Sequence, residues 1–263
     1  MQSPAMELEI QGKAAKAAAR ALARLSTDVK NKALHNLANG LTARAQDILG
    51  ANRLDCDEAR AGGMGAAMLD RLVLNADRLA DMGRDVLTVA ALPDPVGESF
   101  DARILPNGLQ ISRRRVPLGV IGAIYESRPN VTVDISSLCL KSGNAVILRG
   151  GKETLHSNAA LVKVIQEAIA QAGVPGTAVQ FVDSPDRNLV NQMLSMRDHI
   201  DLIIPRGGAD LIRFVVENAC MPVVTGGIGV CHTYVDASAD QAKAVGIVYN
   251  AKVQRPTVCN ALD

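Results

Sequence analysis

The sequence predicts an α/β protein in which a block of helices precedes a doubly wound parallel sheet, followed by the start of a second α/β domain. Residues before about Pro93 repeat apolar positions at three- and four-residue steps, which is typical of amphipathic helices. After "LPDPVG", short and continuous apolar runs alternate with helical stretches. This alternation is typical of parallel strands covered on both faces, and right-handed connections favour the doubly wound arrangement.

The individual elements follow from these patterns in chain order. Helices are predicted for "AAKAAARALARL", for "KNKALHNLANGLTARAQDILGANRLDCDEA" and over Ala76–Ala91. The predicted strands of the sheet are Val120–Tyr125, Ala145–Arg149, Val179–Asp183, Leu202–Arg206 and Pro222–Thr225. The helices predicted between them are Val131–Lys141, Leu155–Ala172, Asp186–Met196 and Ala209–Ala219. In the last segment we expect a strand over Cys231–Asp236 and then a helix from about Ala237 to Asn250.

Composition narrows the classes of function. Aromatic residues make up 2% of the chain and Trp is absent, so base-stacking platforms for single-stranded nucleic acid are not expected. A net charge of +1 provides no overall field that would attract nucleic acid or an anionic membrane. The N-terminal "MQSPAMELEI" lacks the regions of a signal peptide, and no apolar stretch reaches a membrane-spanning length. These features predict a cytoplasmic protein.

Cysteine and histidine spacing gives no sign of a metal or a disulfide framework. The five cysteines are odd in number and share no CxxC spacing. The four histidines form no pattern of metal ligands. We therefore predict no metal site.

Two predicted strand ends carry candidate cofactor-binding residues, because ligands of open α/β sheets bind beyond the carboxyl ends of the strands. Each has a basic residue and two glycines before a helix: Arg149, Gly150, Gly151 and Lys152 in "LRGGKET", and Arg206, Gly207 and Gly208 in "IPRGGADL". Glycines at a helix N-terminus expose N–H groups suited to a phosphate. A tight turn explains either motif alone equally well, and there is no GxGxxG fingerprint. Together the two motifs favour a phosphate-bearing ligand.

A third strand end, "AIYESRPNVTVD", holds Glu126, Arg128 and Asn130. Asn130 is a candidate cap for the following helix and equally a candidate hydrogen-bond donor to a developing oxyanion. Arg128 is suited to pairing with a substrate carboxylate or with Glu126.

Cys259 lies near the end of the sequence in "QRPTVCNALD". Pro256 favours an extended Arg255, and the positive charges of Arg255 and Lys252 favour the thiolate form of a nearby cysteine. These features make Cys259 a candidate nucleophile. Free cysteines are also common as small buried apolar residues, and the local sequence leaves both interpretations open.

Four blocks of the sequence resemble one family. The blocks "RRRVPLGVIGAIYESRPNVTVDISSLCLKSGNAVILRGGKET", "LIIPRGGADL", "GGIGVCHTYVD" and "NAKVQRPTVCNALD" are similar to the γ-glutamyl phosphate reductases, NADPH-dependent enzymes of the aldehyde dehydrogenase superfamily. The similarity runs in order over essentially the whole chain. It implies an aldehyde-dehydrogenase-like fold with a cofactor domain, a catalytic domain and an oligomerisation hairpin.

The resemblance also implies a division of the chain. Residues 1–230 would form the NADP-binding domain, with 108–117 contributing to the hairpin, and 231–263 would form the first part of the catalytic domain. Family members continue well beyond their nucleophile, so the expectation is that this chain is truncated shortly after Cys259. The intact enzyme is expected to be a homo-oligomer, and glutamate 5-kinase is a candidate partner.

The implied reaction is the reduction of γ-glutamyl 5-phosphate to glutamate 5-semialdehyde and phosphate through a thioester on Cys259. The backbone N–H of Cys259 and the side chain of Asn130 would hold the oxyanion. Glu126, Arg128 and Asn260 would bind the substrate. The stretch "PVVTGGIG" contains no carboxylate to activate a hydrolytic water, as expected of an enzyme that keeps its thioester for hydride. NAD-preferring members place a glutamate near Lys152, so a lysine there favours NADP.

Two alternatives stay open from the sequence. One is another acyl-phosphate or acyl-CoA reductase of the same superfamily. The other is a truncated, non-catalytic module for nucleotide binding or subunit interaction, in which Cys259 is inert.

Overall fold

The structure is a computed structural model that describes residues 4–226, 229–254, 256 and 261–263. Cys259, Asn260 and Arg255 therefore lie outside the described residues. The chain forms two compact units, Met1–Val224 and Thr225–Asp263. Within the described ranges, no helix is both long and apolar enough to cross a membrane.

The first part of the larger unit is helical, which confirms the prediction for the residues before Pro93. Its helices are α1 (Pro4–Leu22), α2 (Thr27–Ala43), α3 (Ala45–Ala61), α4 (Ala66–Leu72) and α5 (Ala76–Ala91). Side-chain caps define two of the starts: Ser26 accepts from the N–H of Val29 before α2, and Asn75 accepts from that of Arg78 before α5. The bounds of α5 are those predicted from the sequence.

A two-stranded antiparallel hairpin follows, formed by β1 (Ser99–Ile104) and β2 (Gln110–Arg114). Gly108 allows the turn between the strands because its φ is +82°. The basic run of the sequence lies on and just after β2, where Arg113 pairs with Asp101 and Arg115 pairs with Glu98. Both strands are largely exposed to solvent.

The central sheet has four parallel strands in the order β5-β4-β3-β6. The strands are β3 (Val120–Tyr125), β4 (Ala145–Arg149), β5 (Val179–Phe181) and β6 (Leu202–Arg206). The helices between and after them are α6 (Asn130–Lys141), α7 (Leu155–Ala170), α8 (Asn188–Ser195) and α9 (Ala209–Asn218). The predicted α/β alternation is confirmed. The predicted strand Pro222–Thr225 is reduced to a single bridge between Val223 and Ile203.

The sheet is covered on both faces, as predicted for continuous apolar strands. Ile121 and Tyr125 of β3 face one core, which they share with α2, α5, α6 and α7. Val120 and Ile124 face the other core, which they share with α1, α8 and α9. Alternate residues of one strand therefore enter opposite cores. The N-terminal helix α1 covers a face of the sheet rather than standing apart from it.

The smaller unit corrects two predictions. The segment Cys231–Asp236 was predicted as a strand, and it is not one in the structure. A strand needs a continuous ladder with a neighbour, whereas in the described part of the chain Cys231 exchanges hydrogen bonds with Asp263 without a ladder forming. The helix α10 (Gln241–Val253) begins later than predicted, because Asp236 forms a turn with Ser238 and Asp240 caps the helix through the N–H of Lys243.

Candidate active site

Three strand ends meet at one edge of the sheet and bring most of the predicted site residues together. In the parallel register, Ile124 of β3 lies beside Arg149 of β4, and Tyr125 lies beside Arg206 of β6. The turns that follow these strands therefore leave the sheet side by side. This is the edge where open α/β sheets bind ligands.

A cavity of about 750 Å³ opens at this edge. Its lining includes four of the predicted site residues: Glu126, Arg149, Gly151 and Lys152. Arg187 of the β5–α8 connection adds another positive charge, and Met64, Met68, Leu211 and Phe214 add apolar surface. A cavity of this size, with apolar walls and a few convergent charged groups, is typical of a site for a small molecule.

The Gly150-Gly151 turn after β4 is shaped by packing. A side chain at Gly150 would overlap with the amide of Asn158, which is fully buried at the start of α7. A side chain at Gly151 would overlap with the carboxylate of Glu153. Gly150 is therefore required by the buried Asn158 whether or not a phosphate approaches the turn, and a side chain at Gly151 would force the Glu153 carboxylate to move.

A buried chain of hydrogen bonds supports this turn from below. The Tyr125 hydroxyl lies 2.7 Å from the Thr132 hydroxyl, which donates to Asn158 at 2.7 Å. Asn158 donates to the Thr154 hydroxyl at 2.9 Å, and Thr154 donates to the carbonyl of Gly151 at 3.0 Å. Burial raises the pKa of Tyr125 above its usual value, so the phenol is neutral and donates. This series of hydrogen bonds connects β3, α6 and α7 to the turn.

Asp55 of α3 caps the helix that follows the turn. Its carboxylate accepts from the N–H of His156 at 3.1 Å, from the N–H of Ser157 at 2.7 Å and from the Ser157 hydroxyl. Asn52, one turn earlier on α3, donates to the same hydroxyl at 3.0 Å. Two of the unpaired N–H groups of α7 are thus already bonded. A phosphate at this turn would have to use the groups that precede them.

Arg149 is held at the end of β4. It donates to the carbonyls of Gly150 at 2.9 Å and Pro185 at 3.3 Å. Its Nε is buried and has no hydrogen-bond partner among the residues that the structure describes. Burial lowers the pKa of Arg149, and the nearby Glu153 carboxylate opposes that shift. A guanidinium with a buried donor left over is suited to an anionic ligand.

The Gly207-Gly208 turn after β6 is held differently. The N–H of Gly208 donates to Oε2 of Glu126 at 3.0 Å, and the N–H of Glu126 donates to the carbonyl of Arg206 at 3.2 Å. A side chain at Gly207 would crowd Glu126 and Leu211. Arg206, Gly207 and Gly208 are all exposed. The N–H of Gly208 is therefore already bonded to a carboxylate in the structure.

The turn after β3 carries the predicted substrate and oxyanion residues. Asn130 does not cap α6: it is the first residue of the helix, and Pro129 stands at the cap position. Its side-chain amide donates to Asp134 at 2.9 Å. Burial raises the pKa of Asp134, and the hydrogen bond from Asn130 opposes that shift. Arg128 is half-buried, and its carbonyl accepts from the N–H of Val131.

Ser127 in this turn has a φ of +53°, a conformation that costs a non-glycine residue about 1–2 kcal/mol. Glu153 stabilises it, because its Oε1 accepts from the N–H of Ser127 at 2.8 Å and from its hydroxyl at 3.0 Å. Hydrogen bonds to a charged group contribute about 1.5–3 kcal/mol each. The carboxylate is therefore strong enough to offset the strain.

Sequence reasoning missed several residues that shape this edge, among them Ser127, Glu153, Asp55 and Asn158. Glu153 follows directly on Lys152, so its position in the motif was a signal that was available. Asp55 had no local signal, because it lies about a hundred residues before its partners on α7. Cys259 and Asn260 lie outside the described residues.

The described residues contain no group of three or more His, Cys, Asp or Glu side chains that could hold a metal ion. The edge of the sheet instead offers cations, glycine turns and amide donors. Its chemistry suits an anionic organic ligand.

Comparison with known proteins identifies the family. The model of the aldehyde dehydrogenase family matches residues 2–262. A γ-glutamyl phosphate reductase of Dehalococcoides mccartyi is 58% identical over 263 residues, which is 100% of this chain and 62% of that protein. The reductase of Vibrio vulnificus is 57% identical over 258 residues, which is 98% of this chain and 62% of that protein. The chain thus spans 62% of the length of these curated relatives.

Solved structures agree. The crystal structure of γ-glutamyl phosphate reductase from Thermotoga maritima is 47% identical, with a TM-score of 0.91 over 98% of this chain and 62% of that one. The reductase from Saccharomyces cerevisiae is 33% identical, with a TM-score of 0.77 over 100% of this chain and 65% of that one. These matches confirm the resemblance noted in the sequence, and the chain belongs to the aldehyde dehydrogenase family.

Proposed function

We propose that this chain supplies the cofactor domain and the nucleophile of an NADPH-dependent γ-glutamyl phosphate reductase of proline biosynthesis. The observation that carries the proposal is the 58% identity with such a reductase over the whole chain. An acetylating aldehyde dehydrogenase of Geobacillus thermoglucosidasius is only 20% identical and shares the fold alone. The proposal assigns 1–230 to the NADP-binding domain and 231–263 to the first part of the catalytic domain.

The family implies a nicotinamide cofactor, and the edge of the sheet fits one. The cavity of about 750 Å³ has apolar walls and cationic side chains, and the buried Nε of Arg149 has no partner among the described residues. Lys152 is exposed at the same cavity and is our candidate for the 2′-phosphate. Arg149, Gly150 and Gly151 would lie along the cofactor from one turn, with Arg206, Gly207 and Gly208 on the other. The cofactor supplies the hydride.

Cys259 would carry the chemistry of the acyl group. Its thiolate attacks the carbonyl carbon of γ-glutamyl 5-phosphate, an S–C bond forms, and the C–O bond to phosphate breaks with the electron pair leaving on phosphate. Hydride reaches the carbonyl carbon of the resulting thioester. The S–C bond then breaks, the thiolate is regenerated, and glutamate 5-semialdehyde is released.

Asn130 supports the oxyanion assignment through the geometry of its amide. The amide nitrogen has two N–H donors, and one of them is engaged with Asp134. That contact orients the side chain while the second N–H remains for a developing negative charge. Arg128, Glu126 and Asn260 are proposed to bind the glutamyl part of the substrate.

The exposed hairpin supports a role in oligomerisation. Ile104 ends β1 and Leu109 immediately precedes β2, next to the hairpin turn, and they are 69% and 55% exposed. Two-stranded hairpins of this kind are marginal on their own and are stabilised by pairing or packing with another surface. We propose a homo-oligomer in which 108–117 takes part, with glutamate 5-kinase as a further candidate partner.

A phosphate-dependent oxidation assay tests the proposal. The 263-residue protein is mixed with glutamate 5-semialdehyde, phosphate and NADP, and NADPH formation is followed; parallel reactions use NAD and the Cys259→Ala variant. We expect turnover that requires phosphate, prefers NADP and disappears in Cys259→Ala.

Three other outcomes contradict parts of the proposal. Turnover that requires coenzyme A instead of phosphate would identify another acyl reductase of the family. Turnover that persists in Cys259→Ala would show that Cys259 is not the nucleophile. A folded protein that binds NADP without turnover would identify the non-catalytic nucleotide-binding module, an alternative that the 62% coverage of the relatives keeps in view.

A further inference from the structure

Glu153 connects two turns to which the proposed function gives separate tasks. It lies one residue after Lys152, in the turn that follows β4 and lines the cavity. Its carboxylate accepts two hydrogen bonds from Ser127, which lies one residue before Arg128 in the turn after β3. The side chain is therefore a direct polar link between the proposed cofactor turn and the proposed substrate turn.

The link acts on a residue that needs support. Ser127 and Asp101 are the non-glycine residues with a positive φ in the described part of the chain, and this conformation normally favours glycine. Serine contributes something that glycine lacks, because its hydroxyl adds a second hydrogen bond to the same carboxylate oxygen. Serine and glutamate together thus fix a turn that either residue alone would leave strained or loose.

Gly151 gives Glu153 the room to make this contact. A side chain at Gly151 would overlap with the carboxylate of Glu153 and push it away from Ser127. The second glycine of "LRGGKET" thus has a task unrelated to phosphate binding. It lets the residue after Lys152 fold back across the turn.

We propose that Glu153 is a positioning residue that fixes the backbone of Ser127 and thereby sets Arg128 and Asn130 for the reaction. Arg128 follows Ser127 directly, and Asn130 begins α6 two residues later. Removal of the carboxylate frees Ser127 to leave its positive φ, and the donor of Asn130 moves with the turn. The catalytic consequence rests on the proposed function; the structural consequence does not.

The test is a double-mutant cycle with Glu153→Ala, Ser127→Gly and both changes together. Each variant is measured in the phosphate-dependent assay and in urea unfolding. Glu167→Ala is the matched control, since it removes a carboxylate from the other end of α7, where Glu167 pairs with Arg44. We expect Glu153→Ala to lower kcat by about tenfold to a hundredfold, as a small misplacement does, with little change in the KM for NADP.

Rescue separates positioning from a general loss of structure. Glycine adopts a positive φ without a side-chain contact, so Ser127→Gly in the Glu153→Ala background should recover a large part of kcat and of the unfolding midpoint. Glu167→Ala should leave kcat unchanged. A kcat in Glu153→Ala equal to that of the unchanged protein, or no recovery in the double variant, would overturn the proposal.

Failure of the proposed function gives a different result. If the unchanged protein shows no turnover, the unfolding cycle decides alone. If the changes in unfolding free energy of the two single variants do not add up to that of the double variant, the role of Glu153 in fixing the turn is supported. Additive changes overturn it.

Discussion

The two Arg-Gly-Gly turns of this protein have the same three residues but make different contacts. The turn at Gly150-Gly151 lies over a buried hydrogen-bond chain, and the helix after it is capped by a buried aspartate from α3. The turn at Gly207-Gly208 is exposed, and one carboxylate, that of Glu126, accepts its N–H. The same motif is thus held by buried side chains in one turn and at the exposed surface, chiefly by Glu126 and Leu211, in the other.

Because of this difference, we expect different tasks for the two turns. In the first turn, buried contacts hold the backbone, and Arg149 donates to the carbonyls of Gly150 and Pro185, as recognition of one particular phosphate requires. A turn held by a displaceable carboxylate can exchange that contact for a cofactor oxygen when the cofactor binds. We therefore expect the first turn to determine which cofactor is bound and the second to contribute affinity without discrimination.

Substitution of Gly150 and of Gly208 by alanine should give a large difference between these two positions. Gly150→Ala drives a methyl group into the buried amide of Asn158, and overpacking of this kind costs about 1–3 kcal/mol of unfolding free energy. Gly208→Ala meets Glu126 only at 4.0 Å and has an ordinary φ, so its effect should lie within about 0.5 kcal/mol. Urea unfolding of both variants measures the difference. Equal costs would show that Gly150 and Gly208 are equally constrained.

An effect of similar size should follow from uncapping α7, the helix after the first turn. Asp55→Asn replaces an acceptor of three hydrogen bonds with an amide whose N–H₂ would face donors, and the expected loss is about 1–3 kcal/mol. Asp57→Asn, on the same helix, alters an exposed pair with Arg60 and should cost less than about 0.5 kcal/mol. The same urea measurement compares them. A loss in Asp57→Asn as large as that in Asp55→Asn would contradict the capping role.

The sequence predicted the sheet well where burial alone decides the structure. The apolar runs of β3, β4 and β6 are buried and continuous, so the pattern fixed both their type and their bounds. The strand predicted over Cys231–Asp236 is absent, because a segment becomes a strand only where a neighbour completes its hydrogen bonds.

The charged and glycine residues of the site were predictable from the sequence. The buried side chains that hold them in place were not. Arg149, Lys152 and Glu126 lie beside strand ends, and parallel strands bring those ends to one edge. The link from Asp55 to Ser157 joins residues far apart in the chain, and no local pattern announces it. The reason for Gly150 lies likewise in the side chain of Asn158, which only the packed structure reveals.

The most direct test of this account is the equilibrium binding of NADPH and NADH to the unchanged protein, to Lys152→Glu and to Arg206→Glu, followed by cofactor fluorescence. We expect NADPH to bind at least about tenfold more tightly than NADH, the equivalent of about 1.4 kcal/mol. Lys152→Glu should abolish that preference, whereas Arg206→Glu should weaken both cofactors and keep it. A preference that survives in Lys152→Glu, or one that disappears only in Arg206→Glu, would contradict the assignment of cofactor choice to the first turn.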